Sequence, residues 1–233
     1  MLKDLRIFPE GHDKIALFFT AVPGSRQVNG VRKIVIASRN TGKIQEIRDM
    51  FAGMDIDILS LNDFPGFPDI VEDGNSFYEN ALKKAKTVAR ITGETALADD
   101  SGLEVEALRG APGIYSARYA GERADDKRNI QKLLAEMKGI AAGKRKAAFR
   151  CVLVICTHEG SCRAFEGRWQ GFISEAPVGE GGFGYDPLFY LPERGVTVAQ
   201  LSPETKNTLS HRAQAFRALK KELEKEYNCF SGA

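Results

Sequence analysis

The sequence predicts an α/β fold with a long mixed β-sheet, and three observations carry this prediction. Short β-branched runs alternate along the chain with segments whose apolar residues recur at helical spacing. Two long strand-like runs, residues 147–156 and 162–173, are joined by a short polar turn, as in an antiparallel hairpin. The strands and helices lack strict βαβ repetition, so we expect parallel and antiparallel strands in one sheet.

The first predicted unit is a strand, a tight turn and a helix. Residues 31–38 are rich in β-branched side chains, and Asn40 then opens a segment with apolar residues at helical spacing. A second strand is expected at residues 56–61, followed by a proline-rich loop.

The next unit begins with a capped helix. Ser76 and Glu79 have the spacing of a capping box, and small apolar residues then line one helix face until Gly93. Residues 95–98 predict a short buried strand that ends at Asp99. Carboxylates are therefore expected where a buried strand meets a loop.

The second half of the chain predicts, in order, an alternating segment at 103–107, a helix over 130–137, the hairpin and a glycine-dense loop at 179–184. Ser202 and Pro203 then form a favourable N-cap and first helical residue. A C-terminal helical region follows them.

Composition and charge favour a globular protein and argue against a nucleic-acid partner. The 233 residues allow one large or two small domains, with a core that needs no disulfide or metal scaffold. The chain has 33 Lys and Arg against 31 Asp and Glu, a net charge of +2, whereas duplex nucleic acid requires a basic field. No apolar run approaches the roughly 20 residues of a transmembrane helix. We therefore expect neither nucleic acid nor a membrane as a partner.

The cysteines show neither a CxxC pair nor the His and Cys spacing of a zinc site. They are Cys151, Cys156, Cys162 and Cys229. We therefore expect a reducing compartment and a cytoplasmic protein.

The turn Ser38-x-Asn40-x-x-Lys43 is a candidate phosphate site. Backbone N–H groups at a helix start, the positive end of the helix dipole and a lysine one turn into the helix all attract phosphate oxygens. The turn is not a Walker A loop, because Ala37 stands where that motif has its first glycine and Ile44 follows the lysine. The alternative is a helix cap with Lys43 in solvent.

Asp99 and Asp100, followed by Ser101, are the candidate chemical groups. A pair of carboxylates at a strand end suits Mg²⁺ binding or the activation of a water molecule. Glu72 and Asp73, in an earlier loop, could complete a metal site, although by themselves they are only two charges in a turn. In the alternative, one aspartate caps a turn and the other is solvated.

The segment 181–187 combines glycines with Phe183, Tyr185 and Asp186. Glycines let a ligand approach the backbone, an aromatic ring gives a base a surface to stack on, and Asp186 can bond to polar edges. The alternative is a hairpin loop whose aromatic rings lie in the core.

Lys206 and the run Ser210-His211-Arg212 place three donors late in the chain, which would suit a phosphate or a carbonyl-rich base. A histidine beside an arginine on a helix is also common at a surface. No G-x-S-x-G elbow accompanies His211, so a serine-hydrolase triad has no support.

Five motifs in this order resemble the inosine triphosphate pyrophosphatase family, also called Ham1 or RdgB-like proteins. They extend from about residue 33 to residue 219 and are IASRNTGKIQEI, SFYENALKKA, ADDSGLEVEALRGAPGIYSARYAG, GGFGYDPLF and SHRAQAFRAL. The resemblance implies a homodimeric, Mg²⁺-dependent enzyme that cleaves ITP, dITP and XTP to the monophosphate and pyrophosphate. It also implies an elongated mixed sheet with helices on two lobes and the nucleotide in the cleft between them.

The resemblance also assigns roles by position. Asp100 resembles the family's general base, and Glu72 and Asp100 would hold Mg²⁺. Phe183 would stack on the base, and adenine, which has an amine in place of the 6-oxo group, would leave a donor such as Arg212 unpaired. The implied substrate-binding residues are Ser38, Arg39, Asn40, Thr41, Gly42, Lys43, Lys84, Ser101, Phe183, Gly184, Tyr185, Asp186, Lys206, His211 and Arg212.

Two features depart from the family pattern. Arg39 occupies a position that is usually glycine, and Ser38 replaces the usual threonine. Residues 1–30 precede the first strand, whereas the family pattern normally begins almost at that strand. We hypothesise that they are upstream sequence translated from a mis-chosen start, with Val31 or Val28 as the initiator.

The expected organisation is an N-terminal extension at 1–30, one domain over 31–228 and a tail at 229–233. Two other functions are left open. One is a Maf-type pyrophosphatase that acts on pyrimidine or modified nucleotides. The other is a nucleotide-binding sensor without turnover, which the unusual Arg39 motivates.

Overall fold

A mixed sheet of seven strands organises the fold. The computed structural model describes residues 32–122 and 125–231, and the expected N-terminal extension lies outside them. The strands are β1 (Arg32–Ile36), β2 (Ile56–Ser60), β3 (Thr95–Val105), β4 (Lys146–Cys156), β5 (Cys162–Ile173), β6 (Phe189–Leu191) and β7 (Val196–Thr197). Their order is β2-β1-β3-β4-β5-β6-β7. β1 pairs in parallel with β2 and β3, and the later pairs are antiparallel, which confirms the predicted mixed sheet.

Helices cover both faces of one end of this sheet. The α-helices of the described residues are α1 (Thr41–Phe51), α2 (Phe77–Thr92), α3 (Asp126–Glu136), α4 (Pro203–Leu209) and α5 (His211–Ser231). Of these, α2 covers one face, and α1 and α5 cover the other. On one face, Ala85 of α2 and Ala98 of β3 belong to the same buried cluster. On the other face, Ile47 of α1 and Phe216 of α5 share a cluster with Leu97 of β3. Side chains alternate along a strand, so successive residues of β3 contribute to the two opposite clusters.

A third buried cluster lies further along the long strands. Leu133 of α3 packs there with Leu103 of β3, Phe149 of β4 and Phe189 of β6. The stretch 99–102 of β3 therefore lies between two apolar regions, which keeps its polar side chains within the body of the protein.

The prediction of a short strand that ends at Asp99 is wrong. β3 pairs with β4 along its length, with Asp99 opposite Leu153 and Asp100 opposite Val152. The two acids remain inside the ladder because buried cations neutralise them, as described below. Since neighbouring side chains in a strand point in opposite directions, Asp99 and Asp100 face opposite sides of the sheet.

The first two helices begin where the sequence predicts. Asn40 Oδ1 accepts a hydrogen bond from the Lys43 N–H at 3.0 Å, and Ser76 Oγ accepts one from the Glu79 N–H at 3.1 Å. The Glu79 carboxylate does not complete the expected capping box at Ser76. It accepts instead from the Asn75 N–H at 2.8 Å, so this cap is shifted by one residue.

The C-terminal helices also match their predicted starts. Ser202 Oγ accepts from the Thr205 N–H at the beginning of α4, and Pro203 is the first helical residue. α5 continues to Ser231, into the segment 229–233 that the sequence suggests is a tail. Within the described residues, no helix combines the length and the apolar character needed to cross a membrane.

The β4–β5 hairpin carries a disulfide that the cysteine spacing does not predict. Cys156 and Cys162 face each other at the last pair of the ladder and are bonded. Short cysteine motifs such as CxxC are the patterns from which a cysteine pair is predicted in a sequence. Here the strand register brings together two residues that are six positions apart.

We expect Gly167→Ala to destabilise the fold, because α5 lies directly on β5 at this point. A Cβ atom at Gly167 would be 1.9 Å from the His211 carbonyl oxygen and 2.9 Å from the Ala215 nitrogen. Both are backbone atoms, so the helix must move. The free energy of unfolding should fall by about 3 kcal/mol, the upper range for overpacked cores.

Urea denaturation followed by circular dichroism measures this effect. Gly143→Ala is the matched control, since no atom lies within 4 Å of a Cβ at that position. Equal stability of the two variants would show that α5 does not rest on β5.

Candidate active site

Asp99 is the centre of the polar cluster in the middle of the sheet. Its carboxylate is fully buried, is ion-paired with Lys43, and lies 3.0 Å from Arg212 Nε. The Ser101 hydroxyl and the Cys151 thiol also donate to it, at 2.9 and 3.1 Å. Burial opposes ionisation, but Arg212 and Lys43 hold the pKa of Asp99 well below its usual range. A carboxylate in β3 thus joins the first turn of α1 to the start of α5.

Glu46 extends this cluster and is a residue that the sequence analysis missed. It lies on α1, contacts the guanidinium of Arg212 through a short hydrogen bond, and is 2.7 Å from Lys206 Nζ. Although burial disfavours its charge, Arg212 and Lys206 lower the pKa of Glu46. A signal was available: Glu46 is an acid beside Ile47 on the buried face of an amphipathic helix.

Lys206 links this cluster to the glycine-rich loop. Its ammonium is 2.5 Å from Asp186 Oδ2, which also accepts the Phe183 N–H at 2.9 Å. Burial raises the pKa of Asp186 despite the neighbouring Lys206. The same ammonium lies 4.4 Å from the centre of the Phe183 ring, so the ring and the buried lysine form a cation–π contact.

Lys84 holds two carboxylates on the other face of β3. Its Nζ is 2.7 Å from Glu72 Oε1 and 3.2 Å from Asp100 Oδ1, and it donates to the Asp99 carbonyl at 2.7 Å. Burial raises the pKa of Asp100, and the ammonium of Lys84 only partly offsets this. Burial also disfavours the charge on Lys84, but Asp100 and Glu72 raise its pKa overall. Asn80 donates to the other Asp100 oxygen at 3.3 Å.

Glu72 and Asp100, the predicted metal-binding pair, both contact the ammonium of Lys84. Hard divalent ions prefer such carboxylate oxygens, completed by water or phosphate oxygens. In the described parts of the chain, however, no three His, Cys, Asp or Glu side chains come together as a metal site. The residues present therefore fit a partial ligand set, which a substrate would complete.

Arg118 is a second residue that the sequence analysis did not single out. Its Nη2 donates to the Glu72 carbonyl at 3.1 Å, and its Nη1 lies 3.8 Å from Glu72 Oε2. It belongs to the YSARYAG part of a quoted motif, where a basic side chain on a short turn gave no separate signal. Arg118 fixes the backbone and the carboxylate of Glu72 together.

His211 is buried and offers an unused polar atom. Its ring stacks on Phe149 with centres 4.9 Å apart, and its Nδ1 has no hydrogen-bond partner. Burial, reinforced by the neighbouring Arg212, holds the pKa of His211 well below its usual range, so the imidazole is neutral. Buried polar atoms are nearly always satisfied, so this unpaired nitrogen calls for an explanation.

The phosphate turn combines predicted and unpredicted contacts. Ser38 Oγ accepts from the Asn40 N–H at 3.1 Å, and Thr41 is the first residue of α1. Arg39 does not pair with Asp99 or Asp100. Its guanidinium is 2.9 Å from Asp69 and donates to the Phe67 carbonyl at 2.6 Å. The unusual arginine thus ties the turn to the proline-rich loop.

Two other predicted residues of the glycine-rich loop bind protein groups. Tyr185 is buried, and its hydroxyl donates to the Ser116 carbonyl at 2.9 Å. The Gly184 N–H donates to Asp126 Oδ2 at 2.7 Å. Both contacts fix the loop to neighbouring segments, so Tyr185 has a structural role at the site.

Of the predicted site residues, Lys43, Ser101 and Arg212 contact the Asp99 carboxylate or its partners and Lys84 contacts Asp100. Arg39, Gly184 and Tyr185 bind structural partners instead. Buried ion pairs thus lie on both faces of one strand, beside a helix N-terminus and an aromatic ring.

Comparisons with known proteins identify the family of the chain. The model of the Ham1 family matches residues 34–222. The dITP/XTP pyrophosphatase of Geobacter sulfurreducens is 51% identical over 191 residues, covering 82% of this chain and 96% of the relative. The protein of the same name from Geobacillus kaustophilus is 49% identical over 194 residues, covering 83% and 95%.

Solved structures show the same fold. The Ham1 protein of Staphylococcus aureus superposes with a TM-score of 0.75 at 43% identity, covering 84% of this chain and all of that one. The HAM1 protein of Coxiella burnetii gives 0.76 at 41% identity, covering 83% and 99%. The matched range, residues 34–222, includes all residues of the polar cluster, and the chain belongs to the Ham1 family.

Proposed function

We propose that this protein hydrolyses dITP, ITP and XTP to the monophosphate and pyrophosphate, and so removes deaminated purines from the nucleotide pool. The relatives named above are dITP/XTP pyrophosphatases. The observation that carries the proposal is the buried triad in which Lys84 bridges Glu72 and Asp100 beside the phosphate turn.

Asp100 is the proposed general base. A water oxygen attacks the α-phosphorus, the bond from this phosphorus to the α–β bridging oxygen breaks, and pyrophosphate leaves with the bonding electrons. Asp100 accepts the water proton. Burial raises its pKa, which strengthens it as a base, and the ammonium of Lys84 favours its ionised form.

Attack on the α-phosphorus needs neutralisation of the phosphate charge and positioning more than covalent help. Lys43, Lys84 and the N–H groups at the start of α1 would bind the triphosphate, with Ser38 and Asn40 shaping the turn. Mg²⁺, held by Glu72 and Asp100, would supply further charge neutralisation on the phosphate oxygens.

Base recognition is assigned to the other face of β3. Phe183 would stack on the purine, while Lys206 and the unpartnered Nδ1 of His211 would meet its polar edge. Arg212 gives four of its five N–H donors to Glu46, Asp99 and Ser101, which leaves one for a 6-oxo acceptor. Adenine offers no acceptor there, so ATP would leave a buried donor unpaired.

We place the protein in the cytoplasm, with its nucleotide substrate as a small-molecule partner. In a reducing compartment the Cys156–Cys162 pair would exist as two thiols. The hairpin itself is held by its ladder of backbone hydrogen bonds and needs no covalent link.

We also propose a homodimer. Among the described residues, Tyr78 and Tyr115 are large apolar side chains with 41% and 57% exposure, and both line a groove of about 510 Å³. A second copy of the chain would cover these rings, since exposed aromatic surface of this kind is typical of interfaces.

The first prediction concerns turnover. With Mg²⁺, the protein should convert dITP to dIMP and pyrophosphate, and Asp100→Asn should bind dITP but lose kcat by about 10²–10⁴-fold, since it cannot accept the proton. Asp69→Asn is the control, because Asp69 is 97% exposed and contacts only Arg39 among described ion pairs. Ion chromatography of the products measures kcat for both variants.

Other outcomes identify other functions. Preference for UTP or dTTP would indicate a Maf-type enzyme, and tight binding without pyrophosphate release would indicate a sensor. Orthophosphate as the sole released product would contradict attack at the α-phosphorus.

The second prediction concerns pH. The base must be ionised, so kcat/KM falls as the pH drops through the pKa of Asp100. Lys84 lowers that pKa, and Lys84→Met should therefore move the acidic limb upward by roughly one pH unit or more. Lys83→Met is the control, because Lys83 pairs with the exposed Asp73. An unmoved limb in Lys84→Met would remove Asp100 as the titrating base.

The third prediction concerns assembly. Tyr115→Glu should shift the protein from dimer to monomer in sedimentation velocity, because it places a charge in the proposed interface. Val178→Glu alters an exposed apolar residue that does not line the groove and should leave the dimer intact. A wild-type monomer would refute the dimer proposal directly.

A further inference from the structure

We propose that Gly42 is a positioning residue: its missing side chain lets Phe183 lie directly on the phosphate turn, and this contact couples base recognition to triphosphate binding. The inference rests on the proposed function, since it concerns how the two halves of the nucleotide are held relative to each other.

The distances show that no side chain fits at this position. A Cβ atom at Gly42 would lie 2.7 Å from Phe183 Cδ1 and 3.0 Å from Cε1. Carbon atoms pack at about 3.5–4.0 Å, so even a methyl group would displace the ring. The nearest other atom, Asn40 Oδ1, would be 3.3 Å away and needs only a small adjustment.

Backbone conformation does not explain the glycine. Gly42 lies in the first turn of α1, a helical position that alanine favours over glycine. It is not among the glycines with positive φ. The need is therefore for space, and Phe183 is the residue that fills the space.

The ring is also held from its other sides. The Phe183 N–H donates to Asp186, and the following Gly184 N–H donates to Asp126, so both flanking peptides are fixed. Lys206 Nζ lies 4.4 Å from the ring centre, and Arg212 Cζ lies 5.8 Å from it. A methyl group at position 42 would push the ring against these cations or rotate it away.

Displacement of the Phe183 ring would move the base of the nucleotide but not the groups that bind its triphosphate. A base that stacks on Phe183 follows the ring, and the α-phosphorus then shifts relative to Asp100. The phosphate-binding groups themselves, Lys43, Lys84 and the N–H groups of α1, keep their positions. Gly42→Ala should therefore weaken reaction of a complete nucleotide while sparing the binding of a triphosphate that has no base.

The experiment is a double-mutant cycle with two ligands. For dITP we measure kcat and KM, and for inorganic tripolyphosphate we measure the inhibition constant. Gly42→Ala should reduce kcat/KM for dITP by about tenfold, because small misplacements at a reacting centre are costly. The inhibition constant of tripolyphosphate should change by less than about twofold, because its binding groups are untouched.

Phe183→Ala provides the test of coupling. It should itself lower kcat/KM by about tenfold or more through lost stacking. Adding Gly42→Ala to Phe183→Ala should then cost nothing further, since the clash has been removed. The melting temperature of Gly42→Ala must stay well above the assay temperature, so that a loss of activity does not reflect unfolding of a strained variant.

Two results would overturn the inference. One is an equal loss from Gly42→Ala with and without the Phe183 ring. The other is a parallel rise in the tripolyphosphate inhibition constant. Wild-type turnover of dITP is measured first: its absence refutes the proposed function, whereas turnover with an additive cycle refutes only the role of Gly42.

Discussion

The structure depends on one buried charge, the carboxylate of Asp99. An ionised carboxylate away from water is costly unless it is paired and hydrogen-bonded. Here Arg212 comes from α5 and Lys43 from the start of α1, so both helices must dock on β3 to satisfy it. The pair does more for specificity than for net stability, because only one arrangement of these elements leaves no charge unpaired.

The remaining charges are arranged in the same way. Glu46 stands between Arg212 and Lys206, and Asp186 continues the chain toward the glycine-rich loop. Each cation is already neutralised by an acid, so the site is preassembled without its ligand. Such a site requires little reorganisation on binding, but the phosphate and base must compete with carboxylates already in place.

Local patterns in the sequence predict most of the elements, and long-range pairing accounts for what they miss. Asn40 and Ser76 mark helix starts because capping is a contact over three residues. The full length of β3 depends instead on cations from distant helices, without which two adjacent acids favour a turn. The sequence gives little indication of Glu46 and Arg118 for a related reason. The role of each depends on a partner that is distant in sequence, Arg212 for Glu46 and Glu72 for Arg118.

Asp99 and Asp100 are neighbours in sequence, yet the pleat of β3 sends them to opposite sides of the sheet. One strand thus separates two clusters, with the proposed base-binding residues and Lys43 around Asp99 on one side and the proposed general base, Asp100, on the other. The two clusters can be tuned by separate helices, since α5 serves Asp99 and α2 serves Asp100. The same arrangement restricts how the gene can vary, because a one-residue insertion or deletion before Asp99 would exchange the two acids between the faces.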